Sequence, residues 1–392
     1  MSAARAQLRL AKDLRRSLLL GHPWIYDRAL APARLAPGQL IEVGDRRGPI
    51  ALGFADPASP IRVRILALDV RHDVGPGWAE ERGARAARLR RSDPHLDGTD
   101  ALRLVHGEAD MMPGLVVDLY GTTAVALTDG AGAAAFWADK LGAVIAGARA
   151  AGLAIERVWL RSRRGPGRAV IGDEPPAHIA VREDGARFEV DVRQGQKTGL
   201  FLDQRENRRY LRGLSAGRRV LNLFGYTGGF SLHAELGGAA HITTVDQAHP
   251  AIEAAARNIA ASGLDRAKHE LVCADAFAWL AEAAAAGRRF EVVVCDPPSF
   301  APRAQAVDAA RAAYRRLNAL ALAVVAPGGL LLTASCSSHM TAADFREAIA
   351  GAAVDARRGV LVRGARGAAS DHPVLPAFPE GDYLKLLDLA VD

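Results

Sequence analysis

The sequence predicts an α/β protein whose C-terminal half forms a doubly wound sheet, preceded by a small β-rich domain and a small central α/β domain. From about residue 217, apolar runs that suit strands alternate five times with runs that suit helices. Such alternation is typical of parallel βαβ units. Before about residue 72, short apolar runs are instead broken by Gly, Pro and Asp, which marks strands and turns. A length of 392 residues also exceeds one ordinary core, so several domains are expected.

An aromatic and basic stretch, "GHPWIYDRAL", lies near the start of the β-rich domain. Trp24 and Tyr26 stand close to His22 and Arg28. These aromatic side chains either pack the small core of that domain or form an RNA-contacting face, since bases stack on aromatic rings beside positive charge. The sequence leaves both interpretations open.

Composition and charge narrow the class of protein. No stretch approaches 18 uninterrupted apolar residues, and the N-terminus lacks the apolar segment of a secretory signal, so we expect a cytoplasmic protein that does not associate with membranes. The three cysteines include no C-x-x-C pair, so we expect neither a disulfide framework nor a metal site. The net charge of +6 points weakly to an anionic partner, although arginine supplies 45 of the 50 basic residues and a compositional bias also explains the excess.

In doubly wound sheets, ligands bind outside the carboxyl ends of the strands, so chemistry is expected at the strand tips. The first tip reads "NLFGYTGGFS", residues 222–231. Its glycines allow the backbone to approach a ligand closely and to turn sharply into a helix. The stretch is not G-x-G-x-x-G, and no lysine follows as in a P-loop, so the pattern does not favour a phosphate cradle.

Acids end the second and third strands. Asp246 closes "TTVD", where a carboxylate accepts hydrogen bonds from ribose hydroxyls in this class of sheet. Asp275, in "CADAF", is suited to an exocyclic adenine amine. Each acid is equally well placed to cap the helix that follows it. A Gly-rich turn with two strand-end acids suits an adenosine ligand without a pyrophosphate, which points to S-adenosylmethionine more than to a dinucleotide.

The fourth strand ends in "VVVCDPPSF", where an acid and two prolines follow a buried run. Proline restricts the backbone and removes N–H donors, so the turn predicts a carboxylate at Asp296 that is held rigidly against a planar base. Phe300 is available to stack on that base.

The fifth tip, "LLLTASCSSHM", carries a cysteine among small polar residues. Cys336 comes just after the strand and close to His339, whereas an isolated cysteine inside a strand, such as Cys295, is more often inert. A thiolate at the tip is placed to attack an electron-poor carbon. Methylation of cytosine at C5 needs this chemistry, because C5 is a poor nucleophile until a thiolate adds to C6.

Together the motifs resemble the RlmI-type family of S-adenosylmethionine-dependent rRNA methyltransferases, whose members include a 23S rRNA 5-methylcytosine enzyme. The resemblance covers nearly the whole chain and follows one order: "GHPWIYDRAL", "GFADPASPIRVRIL", "RLVHGEADMMPGLVVDLYG", "GQKTGLFLDQRENR", "NLFGYTGGFS", "VVCDPPSF", "SCSSHM" and "DHPVLPAFPEGDYLKLL". It implies a PUA-like RNA-binding domain at residues 1–74, a central α/β domain at 75–188 and a Rossmann-like methyltransferase domain at 189–392.

The resemblance also implies roles for individual residues. Cys336 is implied as the nucleophile and Asp296 as the group that faces the target base, with Pro297, Pro298 and Phe300 beside that base. The segment "KTGLFLDQRENR" resembles a lid over the methionine end of the cofactor. The implied cofactor-binding residues are Asn222, Phe224, Tyr226, Thr227, Asp246, Asp275, Asp203 and Arg205.

The sequence departs from the family pattern at two places. The turn after Asp296 has no cysteine, so the chain lacks the two-cysteine arrangement of other RNA 5-methylcytosine enzymes. Leu223 and Gly225 stand where close relatives are expected to carry cysteine and serine. Neither change removes a needed group.

Three alternative functions stay open. In the first, the protein is a methyltransferase of the same fold that acts on another position, for example a guanine amine, and Cys336 is only structural. In the second, it is an RNA-binding or assembly factor that keeps the fold without activity, although the intact strand-tip acids argue against this. In the third, it is a small-molecule methyltransferase, which leaves the PUA-like domain and the arginine surplus unexplained. The sequence does not identify the modified nucleotide or the base that removes the C5 proton, and it leaves both the assembly state of the rRNA substrate and a homodimer open.

Overall fold

The computed structural model describes residues 5–162, 165–300 and 306–392. The chain divides into two compact units, each made of three stretches of sequence. The first unit comprises Met1–Ile179, Val190–Leu200 and Ser370–Gly381, and the second comprises Ala180–Glu189, Phe201–Ala369 and Asp382–Asp392. The predicted α/β class is confirmed, whereas the predicted boundaries at 74/75 and 188/189 stay predictions.

The N-terminal part of the first unit is β-rich, as predicted. Its elements are β1 (Ala6–Arg9), α1 (Arg15–Leu19), β2 (Trp24–Tyr26), β3 (Leu40–Asp45), β4 (Gly48–Ala55) and β5 (Ile61–Ala67). The strands form one sheet in the order β1–β3–β4–β5–β2, in which β1 and β3 are parallel and the other neighbours are antiparallel. Alternate residues such as Ile41 and Val43 fill its core.

A second sheet with helices completes most of the first unit. Its elements are α2 (Pro76–Arg91), β6 (Ala101–His106), β7 (Leu115–Tyr120), β8 (Thr123–Thr128), α3 (Gly130–Trp137), α4 (Leu141–Ala150), β9 (Arg157–Leu160) and β10 (Arg168–Ile171). The strand order is β10–β9–β8–β7–β6. Residues of β4 pack in the same core as α2, α3 and α4, and the ring of Phe54 stacks on that of Phe136 with centroids 4.6 Å apart. A separate two-stranded sheet, β11 (His178–Glu183) and β12 (Ala186–Asp191), comes next in the chain, and its residues 180–189 belong to the second unit.

The second unit is built on a seven-stranded sheet. Its elements are α5 (Arg205–Leu214), β13 (Arg219–Leu223), α6 (Gly229–Leu236), β14 (His241–Asp246), α7 (His249–Ala261), β15 (His269–Cys273), α8 (Ala276–Ala285), β16 (Phe290–Cys295), α9 (Val307–Val324), β17 (Val325–Ser335), α10 (Ala342–Ala356), β18 (Val360–Arg366) and β19 (Lys385–Val391). The order is β15–β14–β13–β16–β17–β19–β18. Neighbours from β15 to β17 are parallel, and β19 is antiparallel to both of its neighbours. The predicted doubly wound sheet is therefore confirmed.

Helices cover both faces of this sheet, which explains why its central strands read as continuous apolar runs. Leu221 and Leu223 of β13 pack with α8, α9 and α10, whereas Val220 packs with α5 and α6 on the other face. The strand order reverses between β13 and β16, whose last residues, Leu223 and Cys295, are paired. A crevice at such a reversal is the usual ligand site, so a ligand is expected near the tips of β13 and β16.

The helices in the described ranges are modest in length. The longest of them, α9, spans 18 residues and carries three arginines. None of the helices in these ranges combines the length and the apolar character that a membrane crossing requires.

Candidate active site at the carboxyl edge of the sheet

The turn after β13 leaves the sheet through a strained backbone. Phe224 and Tyr226 have φ values of 57° and 45°, in the left-handed region that non-glycine residues seldom adopt, and Gly228 has a φ of 81°. The backbone N–H of Tyr226 donates to a carboxylate oxygen of Asp246 at 2.9 Å, which ties the turn to the end of β14. Strain of this kind is concentrated at ligand-binding turns.

Gly225 occupies the tightest point of that turn. A Cβ atom at this position would lie 2.4 Å from Cγ2 of Thr244, so a larger residue does not fit without a shift. Beneath it, Nδ2 of Asn222 donates to the hydroxyl of Ser231 at 2.9 Å, and that hydroxyl lies 2.7 Å from the hydroxyl of Thr244. Oδ1 of Asn222 is buried and has no hydrogen-bond partner among the described residues. Asn222 thus supports the turn and keeps one acceptor unused.

The other residues of the turn that were predicted to shape the pocket are half-buried. Phe224 packs against the core on the α8–α10 face. The ring of Tyr226 meets that of Phe201 edge-on, with centroids 5.3 Å apart. The carbonyl oxygen of Thr227 accepts a hydrogen bond from the side chain of Asn258 at 2.9 Å. These contacts hold the turn, and contact of the three residues with a cofactor stays a prediction.

Both strand-end acids accept hydrogen bonds from the backbone. The two oxygens of Asp246 accept from Tyr226 and Ala248, each at 2.9 Å. Asp275 is exposed and caps α8 by accepting from the N–H of Ala278 at 3.0 Å, as the capping interpretation expected. The second oxygen of Asp275 has no partner among the described residues. Because an ionised carboxylate has about four lone-pair sites, both acids retain acceptor capacity for a ligand.

Asp203 and Arg205, predicted near the cofactor, are buried and engaged with the protein. The hydroxyl of Tyr383 donates to Asp203 at 2.5 Å. Nε of Arg205 lies 3.7 Å from Glu183, which is fully buried and binds Arg208 through two bonds of 2.7 and 2.6 Å. Burial by itself raises the pKa of Glu183, but the neighbouring Arg208 charge and hydrogen bonds outweigh it and hold that pKa well below its usual value. Cofactor binding by Asp203 and Arg205 stays a prediction.

Asp296, at the tip of β16, is oriented by two buried amides that the sequence reasoning missed. Nε2 of Gln204 donates to Asp296 at 2.8 Å, and Nδ2 of Asn207 donates to Oε1 of Gln204 at 2.6 Å. The second bond leaves Gln204 to present its N–H group to the carboxylate. Both amides stand in "DQRENR", a polar run with no apolar period, so the only signal available was an excess of polar residues in a region expected to meet the cofactor.

Cys336 lies just beyond β17 and is half-buried. Its Sγ lies 3.9 Å from the carbonyl oxygen of Pro297, the residue that follows Asp296. Pro297 is buried and Pro298 is exposed. The structure therefore brings the tips of β16 and β17 together, with the thiol after β17 against the rigid turn after β16.

A chain of hydroxyls links the same two tips. The hydroxyl of Ser299 lies 2.9 Å from that of Ser337, which lies 3.1 Å from the phenol oxygen of Tyr314. Ser335 donates to the same phenol oxygen at 3.0 Å. Phe300, predicted to stack on the target base, packs against the ring of Tyr314 with centroids 4.9 Å apart. The chain fixes both tips relative to α9.

The three thiols stand in different surroundings. Cys295 is fully buried in β16, and burial raises the pKa of its thiol far above the usual range, which suits an inert core residue. Cys273 is exposed at the end of β15, away from the β16–β17 tips. Cys336 alone among the three is half-buried at a tip beside a carboxylate-bearing turn.

The aromatic stretch near the N-terminus belongs to the first unit. Trp24 packs edge-on against Phe378, with centroids 4.5 Å apart, and its Nε1 donates to Glu108 at 2.7 Å. Tyr26 is 41% exposed and Arg28 is exposed. Trp24 is thus held by protein contacts, and an RNA-contacting role stays a prediction for Tyr26 and Arg28.

The polar groups around the first turn suit S-adenosylmethionine. Asp246, Asp275 and the unused oxygen of Asn222 are all acceptors, which match ribose hydroxyls, an adenine amine and a cationic sulfonium group. Gly225 permits a close approach of the ligand to the backbone. An anionic pyrophosphate would meet these acceptors rather than donors, so the side-chain acceptors argue against a dinucleotide.

Comparison with known proteins gives consistent matches. A family model described as S-adenosylmethionine-dependent methyltransferase matches residues 140–357, and a PUA-like domain model matches residues 8–68. The ribosomal RNA large subunit methyltransferase of Deinococcus radiodurans is 38% identical over 100% of this chain and 98% of its own length. Ribosomal RNA large subunit methyltransferase I of Klebsiella pneumoniae is 37% identical over 97% of this chain and 96% of its own. A methyltransferase crystallised with SAH shares the fold, with a TM-score of 0.87 at 23% identity, covering 98% of this chain and 100% of that one.

Proposed function

Because the chain belongs to the S-adenosylmethionine-dependent methyltransferase family that includes ribosomal RNA large subunit methyltransferase I, we propose that it methylates C5 of a cytosine in 23S rRNA. Family membership confirms the predicted resemblance, the PUA-like N-terminal domain and S-adenosylmethionine as the cofactor. The RNA substrate, the target atom and the covalent step are the proposal. A ribosomal substrate also places the proposed activity in the cytoplasm.

Three features support an RNA substrate. The Deinococcus radiodurans and Klebsiella pneumoniae relatives are both named for the large-subunit ribosomal RNA. The PUA-like match covers residues 8–68, where Tyr26 and Arg28 are exposed. The net charge of +6 favours association with a polyanion, because release of counterions drives such binding.

The proposal assigns the nucleophilic role to Cys336. Its thiolate adds to C6 of the cytosine, which forms an Sγ–C6 bond and makes C5 nucleophilic. S-adenosylmethionine, when bound, would supply the methyl group that C5 takes up, with its S–CH3 bond broken and S-adenosylhomocysteine as the leaving group. Removal of the C5 proton by a base then returns an electron pair that breaks the Sγ–C6 bond, releasing 5-methylcytosine and the free thiolate.

One observation carries this assignment: Sγ of Cys336 lies 3.9 Å from the carbonyl oxygen of Pro297, next to Asp296. Carboxylates pair with the exocyclic amine of cytosine. Asp296, oriented by Gln204 at 2.8 Å, is suited to hold that amine while the thiolate approaches C6 of the same ring. The two groups that the chemistry requires thus stand on adjoining turns.

Nucleoside mass spectrometry tests the proposal. Unmodified 23S rRNA would be incubated with S-adenosylmethionine and the wild-type protein, Cys336→Ala or Cys273→Ala. We expect 5-methylcytosine with the wild type and with Cys273→Ala, because Cys273 is exposed at the tip of another strand, and none with Cys336→Ala.

The outcomes separate the alternatives. A different methylated base, or full activity of Cys336→Ala, would overturn C5 chemistry while the fold and cofactor assignments stand. Absence of any methylation, together with no binding of S-adenosylmethionine by calorimetry, would favour an RNA-binding or assembly factor.

A further inference from the structure

Lys385 lies beside the end of β17 and has no role in the chemistry proposed above. It is one of five lysines in the chain and opens β19. Because β19 runs antiparallel to β17, its first residue lies at the edge where β17 ends. Lys385 is paired with Ser335, the residue that precedes Cys336. The sheet topology therefore places Lys385 at the same edge of the sheet as Cys336.

The ammonium group of Lys385 is held by the turn that follows Cys336. Nζ donates to the carbonyl oxygens of Ser337 at 2.7 Å and Met340 at 2.8 Å. The side chain is half-buried, and burial lowers the pKa of Lys385, whereas its electrostatic interactions with Asp382 and Cys336 act in the opposite direction. Two carbonyl dipoles and nearby anions are what a partly desolvated ammonium requires to stay charged.

We propose that Lys385 is a positioning residue that holds the 337–340 turn around its ammonium group and favours the thiolate form of Cys336. A thiol close to a lysine charge ionises more readily than a free cysteine. The two carbonyl bonds fix where the charge sits, so the turn and the ammonium group move together. This inference deepens the proposed function and rests on it for its catalytic consequence, but the ionisation of Cys336 is measurable without methyl transfer.

Other titratable groups surround Cys336 on several elements. They are Asp296 after β16, Tyr314 on α9, His339 on the same turn and Asp382 before β19. Asp296 opposes thiolate formation because like charges repel. Burial raises the pKa of Tyr314, so the phenol stays neutral. All four groups are still present when Lys385 alone is replaced. A change in the ionisation of Cys336 is therefore caused by the loss of the lysine.

Alkylation of each cysteine by iodoacetamide, followed by peptide mass spectrometry over a range of pH, tests the proposal in the full-length protein. Cys273 is exposed and serves as a reference thiol within the same molecule, whereas Cys295 is buried. Lys385→Met removes the charge and both hydrogen bonds, Lys385→Gln keeps a donor without the charge, and Lys385→Arg keeps the charge. Lys268→Met, at a partly exposed lysine 3.9 Å from Glu235, is the matched control.

We expect Lys385→Met and Lys385→Gln to slow alkylation of Cys336 about tenfold near neutral pH relative to Cys273, and to move the midpoint of its rate upward by about one pH unit. Lys385→Arg and Lys268→Met should resemble the wild type. A wild-type midpoint in Lys385→Gln would overturn the electrostatic role, even if Lys385→Met fails to fold. A shifted midpoint in a protein that makes no 5-methylcytosine would sustain the role of Lys385 and overturn the proposed function; normal methylation without any shift would do the reverse.

Discussion

At the residue scale, the fully buried carboxylate of Glu183 anchors the segment around Gln204, which orients Asp296. Glu183 binds Arg208 through two bonds, and Nε2 of His233 lies 3.2 Å from its Oε1. Arg208 in turn donates to the carbonyl oxygen of Phe201 at 2.8 Å. The buried ion pair therefore fixes the chain on both sides of Gln204, the amide that contacts Asp296.

Glu183→Gln should lower the free energy of unfolding by about 3–5 kcal/mol near pH 7, because it leaves the buried Arg208 without its counter-charge. Arg208 holds the pKa of Glu183 below the ordinary value of 4.5. The contribution of the ionised group is thus fully present above about pH 4.5 and is lost as the pH falls through the folded-state pKa. Denaturant unfolding of both proteins at stepwise lower pH measures this effect.

The control is Glu189→Gln, at a carboxylate that is 41% exposed and 3.5 Å from Arg257. It should change stability by less than about 1 kcal/mol. A difference between wild type and Glu183→Gln that stays constant below about pH 4.5 would contradict the assigned pKa direction.

The close packing at Gly225 leads to a second prediction, on stability and cofactor binding. Gly225→Ala should destabilise the protein by about 1–3 kcal/mol and weaken S-adenosylmethionine binding, because its Cβ would stand 2.4 Å from Cγ2 of Thr244 and push the turn outward. Thr244→Ser removes that methyl group but keeps the hydroxyl that meets Ser231, so the double variant should recover much of both losses. Calorimetric titration and thermal unfolding measure the two quantities.

Gly213→Ala is the matched control for that turn. Gly213 lies in α5, and a Cβ there meets nothing within 4 Å. Alanine should therefore stabilise the helix by about 0.5–1 kcal/mol and leave cofactor binding unchanged. Failure of Thr244→Ser to restore Gly225→Ala would mean that the clash with Thr244 is not the cause.

At the scale of elements, the start of α5 acts on the tip of β16 through one amide. Gln204→Glu would place a second carboxylate at the 2.8 Å contact with Asp296, and two acids so close share a proton at neutral pH. Methylation by this variant should fall as the pH rises, since both acids then ionise and repel, and it should recover at lower pH. Rate measurements across pH, with the exposed Gln194→Glu as control, check this. A profile that superimposes on that of the wild type would show that Gln204 does not govern Asp296.

Periodicity predicted the elements of this edge but not their long-range contacts. Alternating apolar and helical runs are local, so the five strand–helix repeats and the strand-tip positions of Asp246, Asp296 and Cys336 followed from them. Gln204 contacts Asp296 across 92 positions of the chain, and no local pattern carries that information. Lys385 was missed because its place depends on β19 entering the sheet antiparallel beside β17.

At the scale of the whole molecule, the chain contributes to each compact unit several times. Ser370–Gly381 separates β18 from β19 in the sequence but belongs to the first unit. Asp371 binds there: one carboxylate oxygen accepts from the backbone N–H of Arg103 at 2.8 Å, and its carbonyl oxygen accepts from Arg90 at 2.9 Å. Sequence boundaries assume continuous domains, so a segment of this kind is not readable from composition.

Asp371→Ala should loosen that segment from the first unit. The substitution removes the buried hydrogen bond between the backbone N–H of Arg103 and the Asp371 carboxylate, which should lower the free energy of unfolding by about 1–3 kcal/mol. Hydrogen exchange should accelerate in residues 370–381 and in β6 together, because the lost bond joins them across 268 positions. Val374→Ala, at a side chain of the same segment that is 41% exposed, should leave both regions nearly unchanged. Faster exchange confined to residues 370–381, with β6 as protected as in the wild type, would show that Asp371 does not stabilise the sheet it contacts.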